Sequence, residues 1–531
     1  VTLDFDRARP ARRVLCVAPA HTHSFGTFDH ALPLVGARAF MPPQGILTIA
    51  AYLPPEWDVR FHDENVAPLG DDDLRWADVV MTTGMHVQRP RILDLIRRAR
   101  AAGALTVLGG PSVSAAPDWY PEPDILHVGE LGDATEALIE RIDRSLERPA
   151  EQQVYRTEDR LPLHEFPLPA YHFINLRHYL LGSVQWSSGC PYRCEFCDIP
   201  TLYGRRPRLK DPERVTAELD AMLSRGNPGA VYFVDDNFVG NPKAARELLE
   251  TLVDWQEERG FPVAFCCEAT VNAAKRPELL ELMRRANFQT IFCGIESPDV
   301  EALRGMGKTQ NATVPVLEAV QTFNSYGLEV VSGIIVGLDT DTPESYSSIL
   351  RFIEASQIPL LTINVLYALP RTPLWDRLAE AGRISDEAGR VSNVKFLLPY
   401  DTVLSGWRRL VREAYRPEKV YARFRHQMRH TYPNRRTLAA GRPSLAQLRQ
   451  GLPVLGRLLW HVGVRADYRR EFWRALRTAW GTRDIEGLVS AAIVSHHLIC
   501  FAREALEEGG EASFYSPDAA SAEAPRSAVA V

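Results

Sequence analysis

The sequence predicts an α/β chain in three parts: an N-terminal doubly wound parallel sheet, a central partial barrel of six βα units, and a C-terminal helical domain. Three observations predict it. Short apolar runs alternate with helical patterns over residues 13–145. A second alternating series occupies residues 181–400. From about Tyr400 the strand signals stop and apolar residues recur at helical spacing. Strands separated by helical stretches read as parallel sheets, because a parallel neighbour needs a long crossover.

In the first series the strands are expected at Arg13–Pro19, Asp58–Glu64, Val79–Met85, Leu105–Pro111 and Ile125–Glu130. Helices such as Pro90–Ala102 and Asp133–Ser145 separate them. Ligands of such sheets bind beyond the carboxyl ends of the strands. Gly84, Gly109, Gly110 and Gly129 fall at or just past those ends, where a missing Cβ lets a ligand approach the backbone. Residues 146–180 are rich in Pro, Glu and Arg and read as an ordered linker.

The second series predicts strands at Ser183–Ser188, Ala230–Asp235, Val263–Thr270, Thr290–Ser297, Glu329–Leu338 and Leu361–Pro370. Asp211–Arg225, Lys243–Glu258 and Pro277–Ala286 are helical between them. Six units fall short of the eight of a closed barrel, and the site is expected at the strand C-termini. In the helical domain, 401–508, Leu445, Leu448, Leu452, Leu455 and Leu459 recur at helical spacing, as do Phe472, Leu476 and Trp480. Residues 509–531, rich in Ala, Ser, Pro and Glu, are expected to be disordered.

A chain of 531 residues, 45% hydrophobic, is long enough for several domains with a sizeable core. Its net charge of −6 is modest. Eight cysteines are few for a disulfide scaffold. The first residues carry no apolar signal core, and no run of about 18 apolar residues predicts a membrane span. The expected location is cytoplasmic, with membrane contact through the surface.

Three cysteines cluster in Cys190-Pro-Tyr-Arg-Cys194-Glu-Phe-Cys197, just after the first strand of the second series. Four thiolates normally satisfy a cubane iron–sulfur cluster, so three leave one iron open for a substrate or cofactor. An electron carrier needs no such vacancy. The competing reading is a structural zinc site completed by a distant histidine or cysteine; such sites usually use two ligand pairs, and no second pair follows. Cys16, Cys266 and Cys293 lie in apolar strand runs and read as core.

The C-x3-C-x2-C spacing, with Phe196 before the last cysteine, resembles the radical S-adenosylmethionine superfamily. The resemblance implies a [4Fe-4S] cluster on Cys190, Cys194 and Cys197 as catalytic metal ligands. It also implies a 5′-deoxyadenosyl radical made from S-adenosylmethionine at the open iron. Polar residues at successive strand ends match contacts to that cofactor: Asp235, Asp236 and Asn237, then Glu268, Thr270 and Asn272, then Glu296 and Ser297. Ile335 lies in Gly333-Ile-Ile-Val-Gly337, similar to the element that contacts adenine. The glutamate the pattern expects three residues after Gly337 is replaced by Thr340. Pro370-Arg-Thr-Pro373 could offer backbone groups to adenine. Taken singly, each polar residue could equally be a helix cap or a turn.

A parallel-sheet domain ahead of such a barrel resembles the cobalamin-binding domain of one class of these enzymes. Met41-Pro-Pro-Gln-Gly45, Gly109-Gly-Pro-Ser112 and His127-Val-Gly-Glu130 carry that resemblance, and it implies cobalamin contacts from Gly84, Met85, Gly109, Gly110, Gly129 and Glu130. No G-x-G-x-x-G follows the first strand, against a dinucleotide. The Asp-x-His-x-x-Gly motif that supplies a lower cobalt ligand in other cobalamin proteins is missing. His86, in Thr83-Gly-Met-His86, is more often a hydrogen bonder at a strand end than a ligand.

Further segments are similar to one family, the hopanoid C-2 methylases: Ser24-Phe-Gly-Thr-Phe28, Ala39-Phe-Met-Pro-Pro-Gln-Gly45, Leu131-Gly-Asp-Ala134, Cys197-Asp-Ile-Pro200 and Asp235-Asp-Asn-Phe238. The resemblance implies methylation of an unactivated ring carbon of a lipid, with an external one-electron reductant. Alternatives are an enzyme of the same cofactors that rearranges or cyclises another natural product or modifies RNA, and a non-catalytic cluster or cobalamin carrier. Residues 401–480 hold 18 Lys and Arg against 5 Asp and Glu, a net +13. Interleaved aromatics make that surface suited to anionic lipid, with RNA phosphates or plain solvated helix faces as the other readings. Nucleic acid is not the expected partner.

Overall fold

The computed structural model describes residues 10–385, 387, 390–436 and 445–507. The N-terminal sheet contains β1 (Arg13–Ala18), β2 (Asp58–Asp63), β3 (Val79–Thr82), β4 (Leu105–Leu108), β5 (Ile125–Val128) and β6 (Gln153–Arg156). Its order is β2-β1-β3-β4-β5-β6, parallel throughout. The central strands are apolar on both faces, as a sheet covered by helices on both sides requires. The order reverses beside β1, which places the switch point at the carboxyl ends of β1 and β3.

One expectation is corrected. Five strands were predicted here, and the segment read as a linker supplies a sixth, β6. Its alternating, half-exposed Gln-Val-Tyr-Arg carries no apolar run, so only its pairing with β5 identifies it.

The second sheet contains β7 (Gly182–Val184), β10 (Ala230–Phe233), β11 (Ala264–Ala269), β12 (Phe288–Glu296), β13 (Glu329–Val336) and β14 (Leu360–Val365). It runs β14-β13-β12-β11-β10-β7, parallel at every pair, as a six-strand partial barrel should. Between β7 and β10 in sequence, β8 (Ser187–Ser188) and β9 (Arg208–Leu209) form a small antiparallel ribbon. The single first strand expected at Ser183–Ser188 is therefore broken. The amides of Trp186 and Ser187 turn away to donate to the Asp235 carboxylate instead of to the sheet.

The helical domain closes the β14 edge. Trp407 Nε1 donates to the Ile363 carbonyl at 2.8 Å, and the Tyr415 hydroxyl donates to the Leu361 carbonyl at 2.5 Å. The predicted leucine stripe folds as the helix Leu445–Leu458, continued by a wider turn over Leu459–Arg465, but Leu452 and Leu455 are exposed. The last helix, Ile485–Leu506, is by length and composition apolar enough to cross a membrane. Serines and histidines interrupt its sequence, so it shows no unbroken apolar run. Of its apolar window 61% is buried inside the protein, which is how a core helix packs. The predicted disorder of 509–531 lies outside the described residues.

Two sets of hydrogen bonds fix the front sheet to the barrel. Ser183 Oγ, on β7, donates to the Pro42 carbonyl at 2.9 Å and to Gln44 Oε1 at 3.1 Å, and Tyr171 adds its hydroxyl to the Ser183 carbonyl. This is what the Met41–Gly45 segment does. Glu130, just past β5, pairs with Arg160 at 2.9 Å and with Arg208 of β9.

Candidate functional site

The carboxyl ends of the two sheets face one another. Gly189, φ +96°, turns the chain from β8 into the cysteine loop, and a Cβ there would stand 2.9 Å from the Gly204 carbonyl. Cys190, Cys194 and Cys197 share one neighbourhood. Burial pushes the Cys197 thiol well up, and the charges of Asp198, Cys194 and Cys190 add to it. Burial raises Cys190 as well. Thiols held this way become thiolates only when a metal takes the proton's place.

A second loop packs onto this one. Gly307 adopts φ +69°, and a Cβ there would lie 2.8 Å from the Arg193 carbonyl, so glycine allows the contact. The Glu195 amide donates to the Met306 carbonyl at 2.9 Å, and Gln310 Nε2 points at Cys194 Sγ from 3.3 Å. Lys308 is buried; its ammonium lies 5.5 Å over the Phe196 ring and pairs with Glu296. Burial lowers its pKa, yet Glu296, together with the nearby Cys194 and Cys197, outweighs that and leaves it raised. A fixed cation thus sits beside the sulfurs. Lys308 and Gln310 escaped sequence reading; the Gly305-Met-Gly-Lys308 turn was the available signal.

The other predicted residues surround this centre. Asp235 accepts the Trp186 and Ser187 amides, and burial pushes its carboxyl up to about 7. Asp236 accepts the Gly189 amide at 2.7 Å and is pushed up by burial to about 6. Glu268, at the end of β11, accepts the Tyr232 hydroxyl at 3.2 Å and is pushed up by burial to about 7. Asn272 Nδ2 donates to the hydroxyl of Tyr192 in the cysteine loop at 2.6 Å, with Thr270 donating to Asn272 Oδ1. Glu296 adopts φ +66°. Ser297 Oγ accepts the Asp299 amide at 3.1 Å, the turn role that was its alternative reading. Ile335 is half-buried on β13. Asp341, one residue beyond Thr340, accepts the amides of Gly337 and Leu338 at 2.7 and 3.0 Å.

In the front domain, a cavity of about 280 Å³ reaches from beneath the helix Gln44–Tyr52 to the barrel's edge. Ile46, Ile49, Leu138 and Ile139 line its apolar end, and Ser188 and Asp236 close the other. Gly109, Gly110, Gly129 and Glu130 all border it. Gly110, φ +94°, would place a Cβ 2.0 Å from Thr83 Oγ1. Gly84 and Met85 follow β3 and lie outside that lining; the Met85 side chain is exposed. His86 Nδ1 bonds Ser112 Oγ at 2.9 Å, and burial lowers its pKa to about 4. It behaves as the hydrogen bonder the sequence suggested.

Comparison with known proteins agrees with this geometry. Residues 34–139 match the B12 binding domain, 184–353 the radical SAM superfamily, and 372–510 a domain of unknown function, DUF4070. The chain is 54% identical to the hopanoid C-2 methylase of Rhodopseudomonas palustris (strain TIE-1), over 96% of this chain and 97% of that one. The chain belongs to the hopanoid C-2 methylase family. Two solved structures share its fold. The cobalamin-dependent S-adenosylmethionine radical enzyme OxsB superposes with a TM-score of 0.59 at 15% identity, covering 94% of this chain and 81% of that one. The radical S-adenosylmethionine methyltransferase TsrM from Kitasatospora setae gives 0.54 at 16%, covering 73% and 83%.

The cofactors of this methylase family are a [4Fe-4S] cluster, S-adenosylmethionine and cobalamin, and the residues present fit them. Around the thiols, Asp235 Oδ2, Gln310 Oε1 and the Asn237 amide are buried without a hydrogen-bond partner among the described residues. Groups left so are set to receive a ligand. In front, an apolar cavity rimmed by glycines suits a large flat cofactor with a buried tail.

Proposed function

We propose that this chain methylates C-2 of a hopanoid, an unactivated ring carbon. The observation that carries the reading is the 54% identity to a hopanoid C-2 methylase, which runs across nearly the whole of both chains. An unactivated C–H has no acidic proton, so base-assisted methyl transfer fails. When bound, the cluster and S-adenosylmethionine supply a hydrogen-abstracting radical, and cobalamin supplies the methyl group.

The chain's own part is placement. Cys190, Cys194 and Cys197 would hold the cluster, with Lys308 offsetting its negative charge. Asp236, Asn237, Glu268, Thr270, Asn272, Glu296, Ser297 and Ile335 would surround S-adenosylmethionine. Asp235 shapes the loop by gathering two amides. Gly109, Gly110, Gly129 and Glu130, with Gly84 and Met85 at the rim, would border cobalamin. Glu130, Arg160 and Arg208 keep the two sheets in register, so that both cofactors meet one substrate carbon.

The substrate's lipid nature bears on location. Trp473 and Trp480 stand one heptad apart on the helix Arg469–Thr482, exposed, with exposed Arg474 and Arg477 between them and exposed Arg470 one turn before. Trp473 Nε1 donates to the Gly463 carbonyl, which joins this face to exposed Trp460 and Val464. Tryptophan with arginine is the composition of a surface that lies on anionic lipid. The enzyme would thus sit at the cytoplasmic face of the membrane and draw its substrate from it. The test is the reconstituted holoenzyme with S-adenosylmethionine, a one-electron reductant and a hopanoid. The reading expects 5′-deoxyadenosine together with a product heavier by one methylene unit. Deoxyadenosine with a product of unchanged mass would instead mark rearrangement.

A further inference from the structure

Away from the cofactor sites, metal-ligating side chains converge, among the described residues, at one other place. The segment His21–His30 leaves the carboxyl end of β1 and meets the last helix, Ile485–Leu506. There, His23 Nε2 and His30 Nε2 each stand 2.9 Å from the same atom, Glu504 Oε2. The ligand atoms of these three residues all lie within 4.8 Å of one another. We propose that His23, His30 and Glu504 bind a divalent transition-metal ion, Zn²⁺, which clamps the segment after β1 to the C-terminal helix.

The spacing supports a shared ion. Zinc bonds imidazole nitrogen and carboxylate oxygen at about 2.0–2.2 Å, so tetrahedral donors stand about 3.4 Å apart, inside the 4.8 Å that contains these three ligand atoms. The donor set, two imidazoles and one carboxylate, suits zinc over calcium or magnesium, which take oxygen. Behind the first imidazole, His23 Nδ1 is held by Asp29, whose Oδ2 also accepts the Thr27 hydroxyl at 2.5 Å. A carboxylate on the far nitrogen fixes the tautomer that leaves Nε2 free to bind metal.

Charge points the same way. Two carboxylates, Asp29 and Glu504, face the single His23 ring. A dication held by neutral imidazoles would offset both carboxylates. A further imidazole lies alongside: His497 is wholly buried, its ring 5.8 Å from that of His30, and its Nδ1 has no partner among the described residues. The side chains of His23, His30 and Glu504 keep 39%, 27% and 48% of their exposure, so water can complete the coordination.

Such a clamp would join residues 474 and 481 positions apart. The test is zinc content of the holoenzyme, loaded with cluster and cobalamin, equilibrated with Zn²⁺ and then dialysed against metal-free buffer. The wild type should retain about one zinc per chain. His30→Ala and the isosteric Glu504→Gln should each bind it at least tenfold more weakly, with unchanged cluster and cobalamin absorbance reporting an intact fold. Zinc should raise the melting temperature of the wild type alone. No zinc above the buffer blank in the wild type overturns the proposal. So does equal zinc in wild type and both variants, which would place the ion elsewhere, for instance on cluster cysteines.

Discussion

Glu268 lies where a carboxylate resists ionisation. Burial, then the nearby charge of Asp236, pushes its pKa up to about 7 from an ordinary 4.5. The folded chain therefore holds this proton over a window in which the unfolded chain has released it. Stability contributed by the protonated form is present below about 4.5 and is lost as pH rises towards 7. For the cofactor-free chain, the melting temperature should fall by a few degrees between about pH 5 and pH 8. Glu268→Gln should flatten part of that slope in thermal melts; identical slopes would contradict the assignment. At Gly110 the constraint is steric. Alanine there meets Thr83 and is forced into a left-handed φ, a strain of about 1–3 kcal/mol. Gly110→Ala should weaken cobalamin binding about tenfold or more by absorbance titration, with the cluster spectrum unchanged.

Among elements, the β9 region rests on a buried pair. Lys210 and Glu218 are 2% and 0% exposed and bond each other. Lys210→Met leaves an uncompensated carboxylate and should cost about 3–5 kcal/mol, seen as a lower melting temperature. Adding Glu218→Leu should recover most of that loss. The elements also show what the sequence could reveal. Strands buried on both faces announce themselves as apolar runs, so every core strand was legible. β6 was not, because an edge strand with alternating exposure carries no such run. Nor was the break at Gln185–Trp186, which depends on Asp235, a residue 48 or 49 positions away. The cysteine loop was legible because its three ligands are local. Lys308 and Gln310 were not, since only folding brings them to the thiols.

At the scale of the molecule, the helical domain faces two ways. Trp407 and Tyr415 seal the barrel, and Trp460, Trp473 and Trp480 face outward. A membrane-facing surface predicts that the holoenzyme floats with vesicles containing anionic lipid and less with neutral ones. Salt should weaken the binding. Trp473→Glu with Trp480→Glu should abolish flotation and leave turnover of detergent-solubilised substrate unchanged. Competition by RNA for the same face would contradict a lipid surface.

The central claim is methylation of a hopanoid ring carbon. Its most direct test is expression in a hopanoid-making host that lacks its own methylase, followed by lipid mass spectrometry. The wild-type chain should yield hopanoids heavier by one methylene unit with the methyl group at C-2, and Cys190→Ala should yield none. Unmethylated lipid from the wild type, or methylated lipid from Cys190→Ala, would contradict the account.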